Sequence, residues 1–176
     1  MASHESHRLS LVRPSDALAA QGRGRVSTPI EEALRALKGN PDVAHHTIGR
    51  YAMAFANSPL RVTALIAAGA DSLVFRLDDG NILHITARML APSYGTRFFD
   101  LPMIERGEIE QPDGIKVFYF IQPEALTPVS ERAWRDFKRS IGAQGWLMAD
   151  SGQHQLGFYA DEIKLLDPFA VQRIPD

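Results

Sequence analysis

From Arg61 onward the apolar residues change from a helical spacing to the two-residue alternation of strands. The run RVTALIAAG (61–69) reads as a strand ending in a small-residue turn. SLVFRLDDGNILHITAR (72–88) reads as a hairpin around the tight turn Asp78-Asp79-Gly80-Asn81. Two more strands, MIERGEI (103–109) and IKVFYFIQ (115–122), flank a turn at Gln111-Pro112-Asp113-Gly114. Parallel neighbours need crossover connections of about a dozen residues or more, so these short loops predict five strands that are mostly antiparallel. Residues 88–101 contain Pro92 and Gly95 and read as a loop.

Helices flank this block. Thr28-Pro29-Ile30-Glu31 predicts a helix start, with Thr28 capping, Pro29 in the first turn and Glu31 closing a capping box. Ile30, Leu34 and Leu37 share one face, and Gly39 stops the helix. A second helix is predicted from Asp42 to Phe55, ending before Ser58-Pro59. After the strands, TPVSERAWRDFKRSIGAQG predicts a helix over about 130–142, capped by Ser130, with Ala133, Trp134, Phe137 and Ile141 on one face. Trp134 and Phe137 are core or interface anchors. Arg132, Arg135, Lys138 and Arg139 form its wet face or a basic surface for a partner. A short hairpin, HQLGFYADEIKLLDPFAV (154–171), follows. Strand runs and helix runs are segregated, which predicts an α+β fold. Residues 1–26 read as a flexible N-terminal arm and 27–58 as a helical element.

Composition removes several function classes. The 176-residue chain has 19 basic and 21 acidic side chains, interspersed, for a net charge of −2. No basic stripe marks a nucleic-acid binder. No apolar run approaches the roughly 18–20 residues of a membrane span. There is no cysteine, which excludes disulfides and thiolate metal sites and suits a cytoplasmic location. The first residues lack the apolar core of a secretory signal; a signal of another type stays open. His45 and His46 are adjacent on a predicted helix and point about 100° apart, so one metal ion rarely takes both.

Three local patterns carry chemistry. The first is the turn 67–74, Ala-Ala-Gly-Ala-Asp-Ser-Leu-Val, whose Gly69 and Ser72 let backbone N–H groups approach a phosphate. It reads equally as a tight hairpin needing small residues. The second is Asp150-Ser151-Gly152-Gln153-His154-Gln155, where a carboxylate is followed five residues on by an amide. An Asp can orient an acceptor hydroxyl and an amide oxygen can hold Mg²⁺. An Asp-Ser-Gly turn is the plainer reading. The third is Leu165-Leu166-Asp167-Pro168-Phe169, a hydrophobic strand stopping on a carboxylate. Such a group is costly there unless paired, hydrogen-bonded or metal-bound; a turn cap is the alternative.

In this order the three patterns resemble the protein-kinase-like fold. The resemblance covers roughly 61–171 and implies a minimal kinase-like domain over 59–176, with a five-stranded antiparallel sheet as small lobe and FIQPEAL (120–126), with Gln122, as hinge. It implies Asp150 as the catalytic residue, and Gln155 and Asp167 as metal ligands. Gly69, Ser72, His84 and Gln122 would be nucleotide-binding positions, with ATP and Mg²⁺ as cofactors.

The chain also departs from that pattern. His84 stands where the family has a lysine, and an imidazole near pKa 6.5 is a poor substitute for a fixed cation; the plainer reading is a hydrogen-bonded strand histidine. Residues 85–101 hold no Glu to partner such a lysine. Gln155 replaces Asn, and Ala149 stands where regulated members have Arg. Nine residues follow Asp167, leaving no room for an activation segment. These departures imply a degenerate, pseudokinase-like regulatory or protein-interaction module, with a protein partner or a homodimer covering the shortened large lobe. A minimal phosphotransferase using Asp150 and Asp167 is one alternative. An α+β small-ligand or protein-binding domain unrelated to kinases is another.

Overall fold

The computed structural model describes residues 26–149 and 152–175. The fold is α+β. The strands are β1 (Thr28–Pro29), β2 (Arg61–Ala68), β3 (Ser72–Leu77), β4 (Ile82–Thr86), β5 (Glu105–Glu110), β6 (Lys116–Gln122), β7 (Trp146–Met148), β8 (Leu156–Tyr159), β9 (Glu162–Leu165) and β10 (Val171–Arg173). The described helices are α1 (Ile30–Ala36), α2 (His45–Ala54) and α3 (Glu131–Gly142). The main sheet runs β1-β2-β3-β4-β6-β5, and β10-β7 and β8-β9 form two small pairs.

The main sheet therefore has six strands, not the five expected. The extra strand is Thr28–Pro29, paired antiparallel with Val62 and Arg61. Pro29 adopts φ −52° and ψ 137°, an extended conformation, so it precedes the helix instead of opening it. Thr28 consequently caps nothing, and no side-chain cap bond forms at α1. Proline is tolerated there because β1 is an edge strand. The Arg61 guanidinium fastens the edge further, with Nε donating to Ser27 Oγ at 2.6 Å. Helix α2 begins at His45, three residues later than expected, because the Asp42 N–H turns back to Asn40 Oδ1 at 2.9 Å.

The chain divides into two compact units. The first comprises the residues up to Asp79, Leu83–Arg88 and Glu108–Tyr119. Its core contains Ile30 and Leu34 of α1, Ile48 and Tyr51 of α2, and Val62, Leu73, Phe75 and Leu83 of the sheet, all buried. The helical spacing read from Ile30 and Leu34 is thus the packed face of α1. Strand β2 carries register shifts between Val62 and Ala64 and between Leu65 and Ala67. Such bulges increase local twist. The turn at 111–114 closes as its sequence predicts: Gly114 takes φ +78° and its N–H donates to the Gln111 carbonyl at 2.8 Å.

The second unit comprises Gly80–Ile82, Met89–Gly107 and Phe120–Asp176. Phe137 and Ile141 of α3 pack with Phe99, Val129, Leu156, Leu165, Ala170 and Val171. Ser130 caps α3, its hydroxyl accepting from Ala133 N–H at 3.1 Å. The β8–β9 hairpin turns on Ala160 and Asp161, both at positive φ, 50° and 64°. Two consecutive positive φ values are the signature of a type I′ turn. Strands β7 and β10, three residues each, pair through Met148 with Val171 and Trp146 with Arg173.

Candidate functional site

In the first unit, Gly69 and Ser72 close the β2–β3 hairpin. The Gly69 N–H donates to the Ser72 carbonyl at 2.8 Å. A Cβ on Gly69 would lie 3.2 Å from Ser72 Oγ, so a small residue is needed for close approach. The turn is anchored from outside. The Asp71 carbonyl accepts from Ala87 N–H at 3.1 Å and also from the Tyr51 hydroxyl. Burial, reinforced by the Asp71 carboxylate, pushes the Tyr51 phenol well above its ordinary pKa, so it remains a proton donor to this turn.

His84 lies on β4. The residue keeps some exposed surface, yet its imidazole sits among densely packed protein atoms. That desolvation pulls its pKa down to about 3. The ring is neutral at pH 7 and supplies a dipole, not a charge.

In the second unit, Gln122 ends β6 and is buried. Its Nε2 donates to the Leu101 carbonyl at 3.3 Å, while Oε1 is shielded from water without a hydrogen bond among the described residues. Gln155 is also buried, its Nε2 lying 3.1 Å from His154 Nε2. The Gln155 carbonyl accepts from Leu166 N–H at 2.8 Å, which brings the amide segment beside the two residues that link β9 to the following turn, Leu166 and Asp167. Asp167 is half-buried and opens a 3-10 turn, Pro168–Ala170, with Oδ1 accepting from Phe169 N–H at 2.9 Å. Asp150 lies outside the described residues.

The sequence reading missed the side chains that hold this turn. Residues 88–101 form no helix or strand, but they are firmly tied. Arg97 and Asp100 make a buried ion pair, Nε to Oδ2 at 2.8 Å, with side-chain exposures of 7% and 3%. Asp100 Oδ2 also accepts from the N–H groups of Gly95 and Arg97, at 2.9 and 3.2 Å. Arg97 Nη2 donates to the Pro168 carbonyl at 3.1 Å. Next to this pair, the backbone joins the strand leading to Asp167: Leu165 N–H donates to the Phe99 carbonyl at 2.7 Å and Leu101 N–H to the Leu165 carbonyl at 2.9 Å. The available signal was the i, i+3 spacing in Arg97-Phe98-Phe99-Asp100.

The donor set bears on Mg²⁺. Among the described residues no three His, Asp or Glu side chains converge as a metal cage. Mg²⁺ bound with substrate phosphates commonly takes only one or two protein carboxylates and keeps several waters. Asp167 carries a carboxylate and Gln155 an amide oxygen, the donor type that Mg²⁺ takes.

A separate groove of about 360 Å³ in the first unit is lined by His45, His46, Arg50, Met53, Gln111 and Asp113, with Gly49 and Pro112. Both histidines are exposed. Arg50 Nη1 lies 3.4 Å from Asp113 Oδ2.

No known protein-family model matches the chain, and no curated protein matches it either.

Proposed function

We propose that the chain is a degenerate kinase-like domain that works mainly as a regulatory or protein-interaction module and retains weak affinity for a Mg²⁺-bound nucleotide through Asp167. The observation that carries this reading is the neutral His84 on β4, the second strand after the Gly69 turn. Phosphoryl transfer depends on electrostatic stabilisation of charge spread over the phosphate oxygens. A ring with a pKa of about 3 supplies no cation there at physiological pH. Nucleotide binding through Asp167 and Gln155 is compatible with that loss; efficient transfer is not.

A second reading, a minimal phosphotransferase with Asp150 orienting the acceptor, draws support from the backbone bond between Gln155 and Leu166, which gathers the candidate metal ligands. The two readings separate experimentally. Calorimetric titration with ATP, with and without Mg²⁺, should give weak, Mg²⁺-dependent binding that Asp167→Ala abolishes, with no phosphoryl transfer to generic acceptors. Transfer lost in Asp150→Ala would favour the second reading. No binding at millimolar ATP by a folded chain would sink both and leave an unrelated α+β binding domain.

A further inference from the structure

We infer that Arg97 is a positioning residue for the Asp167 carboxylate: by holding the Pro168 carbonyl, it fixes the turn on which that carboxylate is presented to metal. This rests on reading Asp167 as a metal ligand. The Asp167 side chain and the turn that follows are one unit, because Oδ1 accepts the Phe169 N–H at 2.9 Å. The residue between them, Pro168, has no N–H of its own to give the turn, and its carbonyl is taken by Arg97 Nη2 at 3.1 Å. Moving Arg97 therefore moves the frame of the carboxylate.

Arg97 is itself fixed from several directions. Nε lies 3.0 and 2.8 Å from the two Asp100 oxygens. The guanidinium carbon sits 4.9 Å from the centroid of Tyr94 and 5.2 Å from that of Trp146. Tyr94 in turn meets the Phe169 ring edge-on at 5.2 Å. Asp100 bridges to Leu165, two residues before Asp167. Arg97 and its supports thus reach both sides of Asp167.

Stability alone does not account for this arrangement. A buried ion pair carries a desolvation penalty that often cancels its attraction, and apolar packing of similar volume holds a core as well or better. What apolar packing lacks is a directional donor for the Pro168 carbonyl. The planar fork of Arg can bond Asp100 with one edge and Pro168 with another; the single ammonium of Lys cannot reproduce that fork.

The test uses the full-length chain in two variants. Arg97→Met combined with Asp100→Asn removes both charges and leaves no unpaired buried ion. Arg97→Lys keeps the charge and loses the fork. The ligand-free readout is hydrogen exchange of the Phe169 amide, with the Phe137 amide of α3 as internal reference. The ligand readout is calorimetric affinity for ATP with and without Mg²⁺. In both variants the Phe169 amide should exchange about tenfold faster or more while Phe137 is unchanged, as expected for loss of one charge-assisted bond. Mg²⁺-dependent affinity should fall about tenfold, and Mg²⁺-free affinity should not move. Unchanged Phe169 exchange in either folded variant overturns the proposal, as does full rescue of MgATP affinity by Arg97→Lys. A wild-type chain that binds no MgATP overturns the metal reading alone, and Phe169 exchange then decides the role of Arg97 by itself.

Discussion

The Arg–Asp pairs Arg97–Asp100 and Arg50–Asp113, one from each unit, are built differently. Arg97 and Asp100 lie 2.8 Å apart with side-chain exposures of 7% and 3%. Arg50 and Asp113 lie 3.4 Å apart with exposures of 27% and 55%. In the first pair the backbone completes the shell: Asp100 takes two N–H groups and Arg97 gives to a carbonyl. In the second, Asp113 Oδ1 accepts from its own turn at Ile115 N–H, and Arg50 Nη1 has no hydrogen bond among the described residues. Coulomb attraction at similar distance is several-fold stronger in a protein interior than beside water. So is the penalty when one partner is removed. The buried pair should therefore act as a joint whose halves cannot be separated, and the groove pair as a loose surface contact.

The largest expected effect breaks the buried joint. Arg97→Ala leaves the Asp100 carboxylate in a site with 3% exposure, stripped of its counter-charge among the described residues. Such a loss costs about 3–5 kcal/mol, a large share of the stability of an ordinary domain. Chemical denaturation should show a much lower midpoint or no cooperative transition. The double variant Arg97→Met, Asp100→Asn should recover most of that loss, because no unpaired charge remains. If the double variant is as unstable as Arg97→Ala, the carbonyl bond and ring contacts matter more than the charge, and the comparison needs redrawing.

A desolvated titratable group in the first unit extends the contrast, since His84 meets enclosure of its ring by staying neutral. Its folded pKa, about 3, lies below the ordinary imidazole value of 6.5. Above about pH 6.5 neither folded nor unfolded chain protonates the ring, and the full stability is present. Below it the unfolded chain takes up a proton that the folded one refuses, so stability falls as pH drops towards the folded value. The loss should reach at most about 2 kcal/mol by pH 5. Denaturation at pH 7.5, 6 and 5, beside His84→Leu, measures it. The variant should flatten this slope; an equal slope in both would place the titration elsewhere.

Much of this was legible in the sequence where local chemistry decides the outcome. Ser130 capping α3, Gly114 in its turn and the alternating strand 72–77 are set by neighbours a few residues away. The failures share a cause. Thr28-Pro29 has good helix-start chemistry, yet it pairs with Val62 and Arg61, partners more than thirty residues on. Strands β7 and β10 are too short for a period to show, and each exists because the other does. The candidate site divides in the same way. Asp167 at a strand end and the Gly69 turn were visible as local breaks in pattern. Arg97 was not, because its bond to Pro168 spans 71 positions and its segment lacks regular structure. A loop carrying Pro92 and Gly95 looks permissive in sequence; in the fold its polar groups are tied to Leu165, at the end of β9, and to Pro168.

The smallest expected effect tests the loose contact itself. Arg50→Met keeps much of the aliphatic stem and removes only the charge, so packing against the groove is largely retained. A pair that is half-exposed and 3.4 Å apart should contribute less than about 1 kcal/mol. Added salt should erase most of that, because exposed charges are screened over about 3 Å at 1 M ionic strength. Asp113→Asn should match it, since the amide oxygen can still accept from Ile115 N–H and hold the turn. Denaturation at low and high salt compares the two variants with wild type. A loss above about 2 kcal/mol that persists at 1 M salt would mean that Arg50 is a second buried joint. The shielded Nη1 atom would then be the part of the side chain that matters.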